Sequence, residues 1–296
     1  MSVENKRKLL TRRDFLRGSI AATLGTSILG VKWSGGSEGA ISSSQVTVVR
    51  DKNVMDVAGM TVDPKLLKKM LDLTVTKIAD EKKTRDAWLT LVKPEDTVGI
   101  VPTTHLNPTH YELYRAVKSS LIEAGVPHDK IIMAQGGLEK AKACTALISL
   151  PALKAHWLTG IGTVIKNYIM YSGMPSRYHG ENSTKLGEIW KLPDVKDKTK
   201  LVLVDALHPL CDKGPQPDPR YKWAYNGLVA GTDPVAVETV CLGIITEKRR
   251  ALKGEPWPLS PPPVSIEAAD RVYGLGTSKM EQIRVEHFGW ELDLLL

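Results

Sequence analysis

Between Pro151 and Gly180 the chain places Lys154 and His156, then Gly160-Ile161-Gly162-Thr163, Lys166-Asn167 and finally His179. Residues two apart on an extended chain point to the same side, so Lys154 and His156 are expected to share a face. The glycine turn is expected to open a helix, where free backbone N–H groups attract an anion. Lys166, one turn further on, then reaches the same ligand, with Thr163 and Asn167 beside it. Two ammonium groups, an imidazole and a helix N-terminus around one point suit a phosphate or carboxylate, or a covalent bond to lysine. Glycines at a helix start and a solvated lysine are ordinary structural features; only the cluster points to chemistry.

Other polar residues follow the apolar strands. His179 lies in a turn-rich loop and reads as a ligand, a general base or an exposed ring. Asp205 ends the run Lys200 to Asp205, either as a catalytic carboxylate or as a cap for the next turn. His105 and His110, five apart around Asn107-Pro108, are a conceivable metal pair with unspecific spacing, and His179 is a third candidate ligand. Five of the seven histidines fall in or near these post-strand loops, His208 among them. Gly231-Thr232-Asp233-Pro234 reads first as helix capping, with Asp233 at the N-cap and Pro234 at the first helical position.

The elements that must hold these residues alternate. Gln45 to Arg50 is β-branched and alternating, which predicts a strand. Pro64 to Ala79 carries an apolar stripe at helical spacing. Asp96 to Val101, Thr109 to Ala124 and Lys130 to Ala134 read as strand, helix and strand with short links, a βαβ unit that implies a parallel sheet. Thr145 to Leu150 predicts a strand, Ile161 to Tyr171 a helix, Lys200 to Asp205 and Gly227 to Ala230 strands, and Pro234 to Glu247 a helix. A proline-rich connection over 250–263 leads to a helix from Ser265 to Tyr273 and a strand from Gln282 to His287. The expected fold is α/β, an open and mainly parallel sheet flanked by helices. Such sheets bind ligands at the carboxyl ends of their strands.

The N-terminus has its own logic. Thr11-Arg12-Arg13-Asp14-Phe15-Leu16-Arg17 precedes a modest apolar run from Ser19 to Val31, the pattern of a twin-arginine export signal. The run is too short and too polar to span a bilayer. Residues 1–40 are therefore expected to be a signal peptide and Gly/Ser-rich linker, with residues 41–296 as one α/β domain. The implied partner is the twin-arginine export machinery, and the implied location is periplasmic or otherwise extracytoplasmic. That route carries folded proteins, often with a cofactor already inserted. Small-x-small cleavage sites near Ser37 and Ile41 are both imperfect because of Glu38.

The formal charge of +7 is largely a property of that leader. Beyond it stand 33 Lys/Arg against 30 Asp/Glu, with no basic stripe interleaved with aromatics, so a nucleic-acid partner is not expected. No later apolar segment reaches membrane-spanning length. Cys144, Cys211 and Cys241 are widely spaced, which excludes an iron–sulfur or zinc motif built from this chain alone. Two of them could pair in an oxidising compartment, and a redox subunit using these thiols is disfavoured by their spacing. Cys241, in an apolar helical run, reads as a small core residue.

Taken as a set, Pro151-x-Leu153-Lys154-x-His156, Gly160-x-Gly162-Thr163-x-x-Lys166-Asn167, Leu203-Val204-Asp205-Ala206, Lys213-Gly214-Pro215 and Ala230-Gly231-Thr232-Asp233-Pro234-Val235-Ala236-Val237 resemble the family called domain of unknown function 362, over about residues 92–250. The resemblance implies an exported α/β protein and no particular reaction. Many members carry a ferredoxin module that this chain lacks, and Val101-Pro102-Thr103-Thr104 stands where the family tends to have Lys-x-Asn.

A looser resemblance links His156, Gly160-Ile161-Gly162, Lys166 and His179 to lactate racemase and its relatives. It implies a nickel-pincer cofactor on Lys166, its metal bound by His179, and proton transfer by His156. These readings converge on an enzyme for a small anionic substrate, with His156, His179 and Asp205 as catalytic groups. Its metal or lysine-linked cofactor is left unidentified. The alternative is a non-catalytic periplasmic ligand-binding or accessory protein for a redox partner.

Overall fold

The chain divides into two units, Met1–Ala40 and Ile41–Leu296. The computed structural model describes residues 43–56 and 58–296. The twin-arginine motif and its apolar run lie outside the described residues. Among the described residues, no helix is long and apolar enough to cross a membrane.

Among the described residues nine strands form the central sheet: β1 (Ser44–Arg50), β2 (Val98–Pro102), β3 (Ile131–Met133), β4 (Ala146–Leu150), β5 (Ala152–His156), β6 (Gly160–Ile161), β7 (Thr199–Leu210), β8 (Gly227–Gly231) and β9 (Ile283–Gly289). Their order is β3-β2-β4-β7-β8-β1-β9, with β5 paired to β7 and β6 to β5. The β2, β3, β4 and β7 pairings are parallel, as the βαβ rhythm requires. On the other side β8 runs antiparallel to both β7 and β1, and β9 returns parallel to β1. The fold is thus a mixed, mostly parallel open α/β sheet.

Seven α-helices among the described residues flank it: α1 (Pro64–Ala79), α2 (Thr84–Leu91), α3 (Tyr111–Ala124), α4 (Leu138–Lys142), α5 (Leu186–Trp190), α6 (Pro234–Lys253) and α7 (Val264–Arg271). Strand alternation divides the apolar residues between two cores. Leu201, Leu203 and Leu207 of β7 pack with Leu67, Trp88 and Leu113 of α1, α2 and α3. Val202, Val204 and Ala206 face the opposite layer, with Val240 and Ile244 of α6. The two faces are covered by different helices, which gives a three-layer arrangement.

Capping sets the helix starts. Asp63 accepts from the N–H groups of Lys65 and Leu66 ahead of α1. Asp233 accepts from those of Val235 and Ala236 ahead of α6, with Pro234 in the first turn. The capping reading of Gly231 to Pro234 therefore holds. Cys144, Cys211 and Cys241 are free, buried core residues. Burial pushes the Cys144 and Cys211 thiols up to about 11 and Cys241 well above its usual range.

Two expectations need correction. The helix over Ile161 to Tyr171 is absent. The chain instead makes a β5–β6 hairpin, with His156 opposite Gly160 and Ala155 opposite Ile161. Only Ile169–Ser172 turns helically, as a short 3-10 segment. Gly160 has φ +75°, and a Cβ there would press on the backbone of Pro261 and Pro263, so this glycine makes a hairpin turn and not a helix start. The second correction concerns β7, which runs through His208 and Pro209 to Leu210, so His208 is in a strand and not in a loop.

Candidate functional site

Pro151 lets the chain step from β4 to β5 while its carbonyl accepts the Asp205 N–H at 2.8 Å. The far half of β7 then pairs with β5, at Ala152–Asp205 and Lys154–Leu210. Lys154 and His156 thereby line one face of a pocket of about 290 Å³, as their spacing predicts. Lys166, Asn167 and His179 line it from the following segment, and Thr103, Thr104 and His105 from the loop after β2. Among the described residues, no carboxylate lies in its wall.

The electrostatics are those of closely spaced cations whose nearest carboxylates, Asp205 and Glu238, lie outside the wall. Lys154 is 5% exposed, and its Nζ lies 3.4 Å from Thr103 Oγ1. Burial first, then the neighbouring Lys166 charge, lowers Lys154 to about 7, against partial support from Asp205 and Glu238. Burial lowers Lys166 to about 8. His156 falls to about 3 through burial and the charges of Lys166, His179 and Lys154. Its Nδ1 accepts the Leu158 N–H at 3.1 Å, so the neutral ring carries its proton on Nε2. His156 therefore stays neutral and donates, which removes it as a base near neutrality. His179 stacks on it at 5.5 Å between ring centroids. Burial and Lys166 lower His179 as well.

The expected helix N-terminus is replaced by an internal carboxylate. Glu238 of α6 accepts the Val164 N–H at 2.5 Å and is also held by the N–H groups of Thr163 and Ile165. The donors foreseen for a ligand are satisfied by the protein itself. Even so, burial raises Glu238 to about 7. Thr163 is fully enclosed, and its hydroxyl bonds the Lys154 backbone, so it extends the β5 ladder and does not touch the pocket. Gly160 is likewise a hairpin residue outside the pocket wall. Gly162 does line it; a Cβ there would sit 3.0 Å from the His156 side chain. Asn167 donates to the Val101 carbonyl at 2.8 Å and to Ser149 Oγ at 2.9 Å, tying the segment to β2 and β4.

Asp205 is in neither wall. It lies buried behind His110 and accepts the His110 N–H and Nδ1–H, each at 2.7 Å, and the Leu207 N–H at 3.1 Å. Asp205 sits inside β7 and not ahead of a turn; it binds two backbone N–H groups and also carries a histidine. These contacts hold Asp205 below the usual carboxylate range despite its burial. The carboxylate raises His110 against its own burial. With Nδ1–H committed, the neutral ring presents an Nε2 lone pair, the geometry of a carboxylate-oriented base. His110 lines a second pocket of about 450 Å³ with Tyr111, Met133 and Lys222. Thr103 and Thr104 line both pockets.

The three candidate metal ligands are not brought together. His105 is exposed at the first pocket, His110 belongs to the second, and His179 stacks on His156. Among the described residues no group of three or more His, Cys, Asp or Glu could hold a metal. A lysine-linked cofactor is another matter. It needs an amine of lowered proton affinity at a pocket wall, and Lys166 fits that requirement, with His179 lining the same pocket.

Sequence reasoning missed Thr103, Thr104 and the His110–Asp205 pair, which bridges 95 positions. Pro215 was also missed as a wall residue. Gly214 abuts the Ala155 carbonyl closely enough that no Cβ fits, and this brings Pro215 to the pocket. Gly214→Ala is expected to destabilise the fold by roughly 2–4 kcal/mol, since rigid backbone must move; chemical denaturation reads it directly.

No curated protein and no solved structure matches the chain significantly. The segment that supplies both lysines, the stacked histidines and Asp205 matches, over residues 126–243, the family model described as Domain of unknown function (DUF362).

Proposed function

We propose that this chain is an exported enzyme that binds a small anion between Lys154 and Lys166 and moves protons on it. The observation that carries this reading is a pocket lined by two lysines and three histidines with no carboxylate in its wall. Buried cations of depressed proton affinity are a preorganised seat for negative charge. Neutral His156 orients the guest by donating from Nε2. His110, held by Asp205 in the adjoining pocket, and His179 are the acid–base groups. Were a cofactor joined to the protein, Lys166 would hold it beside His179, and it would supply electron-accepting chemistry. Export by the twin-arginine route, to a periplasmic or extracytoplasmic location, is part of the same proposal and rests on the N-terminal motif.

Malonate is a suitable probe. An anion raises the proton affinity of both lysines, so binding takes up protons where they are partly deprotonated. Affinity is expected to be highest below about 7 and to fall as pH rises through about 7 and about 8. The slope approaches ~tenfold per pH unit for each proton taken up. Calorimetry in two buffers of different ionisation enthalpy measures that uptake. Absence of malonate binding, or an affinity independent of pH, would overturn the anion seat. Tight binding of an anion with no turnover across a panel of small acids would favour the accessory role beside a redox partner.

A further inference from the structure

Lys154 is the least conventional group in the pocket. It is almost fully enclosed, it emerges from β5 just past a break in that strand's register with β7, and its amine has a threonine hydroxyl beside it. A lysine that merely neutralises an anion does so from the rim, where water supports its charge. Lys166 is better suited to that task, being partly exposed on the same wall. Burial of one amine beside a second cation is the arrangement that turns lysine into a nucleophile towards carbonyl carbon. The volume of about 290 Å³ admits roughly ten non-hydrogen atoms, at ~30 Å³ for a water-sized group.

We propose that Lys154 forms a Schiff base with a small carboxylate that bears a carbonyl group, its carboxylate held by Lys166. This rests on the anion-seat reading above and adds the substrate class to it. The neutral Lys154 amine attacks the carbonyl carbon, and its proton moves to the oxygen to give a carbinolamine. The Lys166 ammonium then protonates the hydroxyl, the C–O bond breaks and water leaves. The nitrogen lone pair forms the C=N bond, giving a cationic iminium beside a now neutral Lys166. Charge on the pocket wall is thus conserved, with one cation exchanged for another. His156 Nε2–H donates to the carboxylate, and Thr103 Oγ1 sits beside the reacting nitrogen.

The experiment is reductive trapping on the full chain with pyruvate and sodium borohydride, followed by peptide mapping. The expected result is the reduced carboxyethyl adduct on Lys154, at least about tenfold above any exposed lysine, as a depressed proton affinity implies. Its yield rises as pH passes about 7, falls again as Lys166 loses its proton above about 8, and falls when malonate competes. Wild-type mapping needs no variant; Lys154→Met should lose that adduct alone. An adduct on Lys166, or labelling spread evenly over surface lysines, overturns the proposal. Malonate binding without trapping overturns it too, while leaving the anion seat intact. Failure of both malonate binding and trapping removes the two readings together.

Discussion

Lys154→Met is expected to make the protein more stable and to weaken its anion binding in the same step. Folding takes the Lys154 amine from water, where its ordinary value is 10.5, into a site where it is about 7. Between those limits the unfolded chain holds more protons than the folded one. Wild-type stability therefore rises with pH from about 7 towards 10.5, and the full penalty is felt below about 7. Methionine keeps the apolar stem in place and removes the charge. The gain near neutrality should be roughly 2–4 kcal/mol, less than the full shift implies because buried sites relax. Denaturant titrations across that range should show a pH slope in the wild type that is reduced in the variant. Malonate affinity should drop by about a hundredfold or more, equivalent to ~2.7 kcal/mol. A variant that is less stable than wild type at neutral pH, or that binds malonate with undiminished affinity, would contradict the account of Lys154 as a strained cation held for its ligand.

Asp205→Ala is expected to have the opposite sign and the largest structural effect. The carboxylate is buried and accepts three donors, two of them from His110 at the start of α3. Its removal leaves buried N–H groups without an acceptor, and a loss of ~3–5 kcal/mol follows. The pH dependence identifies the source. Asp205 is held below 3.8, so its contribution is present above that value and is lost as pH falls through the lowered one. His110 is raised above 6.5, so the ion-pair part is fully present below 6.5 and is lost as pH climbs through the raised value. The difference between wild type and variant should therefore peak between those limits and narrow on both sides. A flat difference across pH would assign Asp205 to backbone capping alone.

Local signals carried much of the architecture. Asp63-Pro64 begins α1 where a capping carboxylate and a first-turn proline place it, and Ala79 ends it ahead of a left-handed Asp80. The strands of the βαβ unit and the start of α6 were legible for the same reason, since each depends on residues within a few positions. The helix Thr84–Leu91 was not, because Lys83 offers no side-chain cap to announce it. The segment around Gly160 to Lys166 has a helix-opening composition, but its conformation is decided by partners far away. Glu238 claims its N–H groups from 74 residues on, and Pro261 and Pro263 close around Gly160. The site shows the same division. The shared side of Lys154 and His156 follows from strand geometry, while the pairing of His110 with Asp205 is created only by the sheet.

Lys154 and His156 rise from β5, and Asp205 from β7, on a hydrogen-bonded lattice that resists displacement. The facing wall is built from the segment after β2 and the turns after Asn167, where Leu106 and Met170 present apolar surface to solvent. The pocket thus has a seat cut into the sheet and a brim made of turns. Substitutions at Leu106 or Met170 would therefore alter the apolar lip and leave the strand that carries Lys154 and His156 in place.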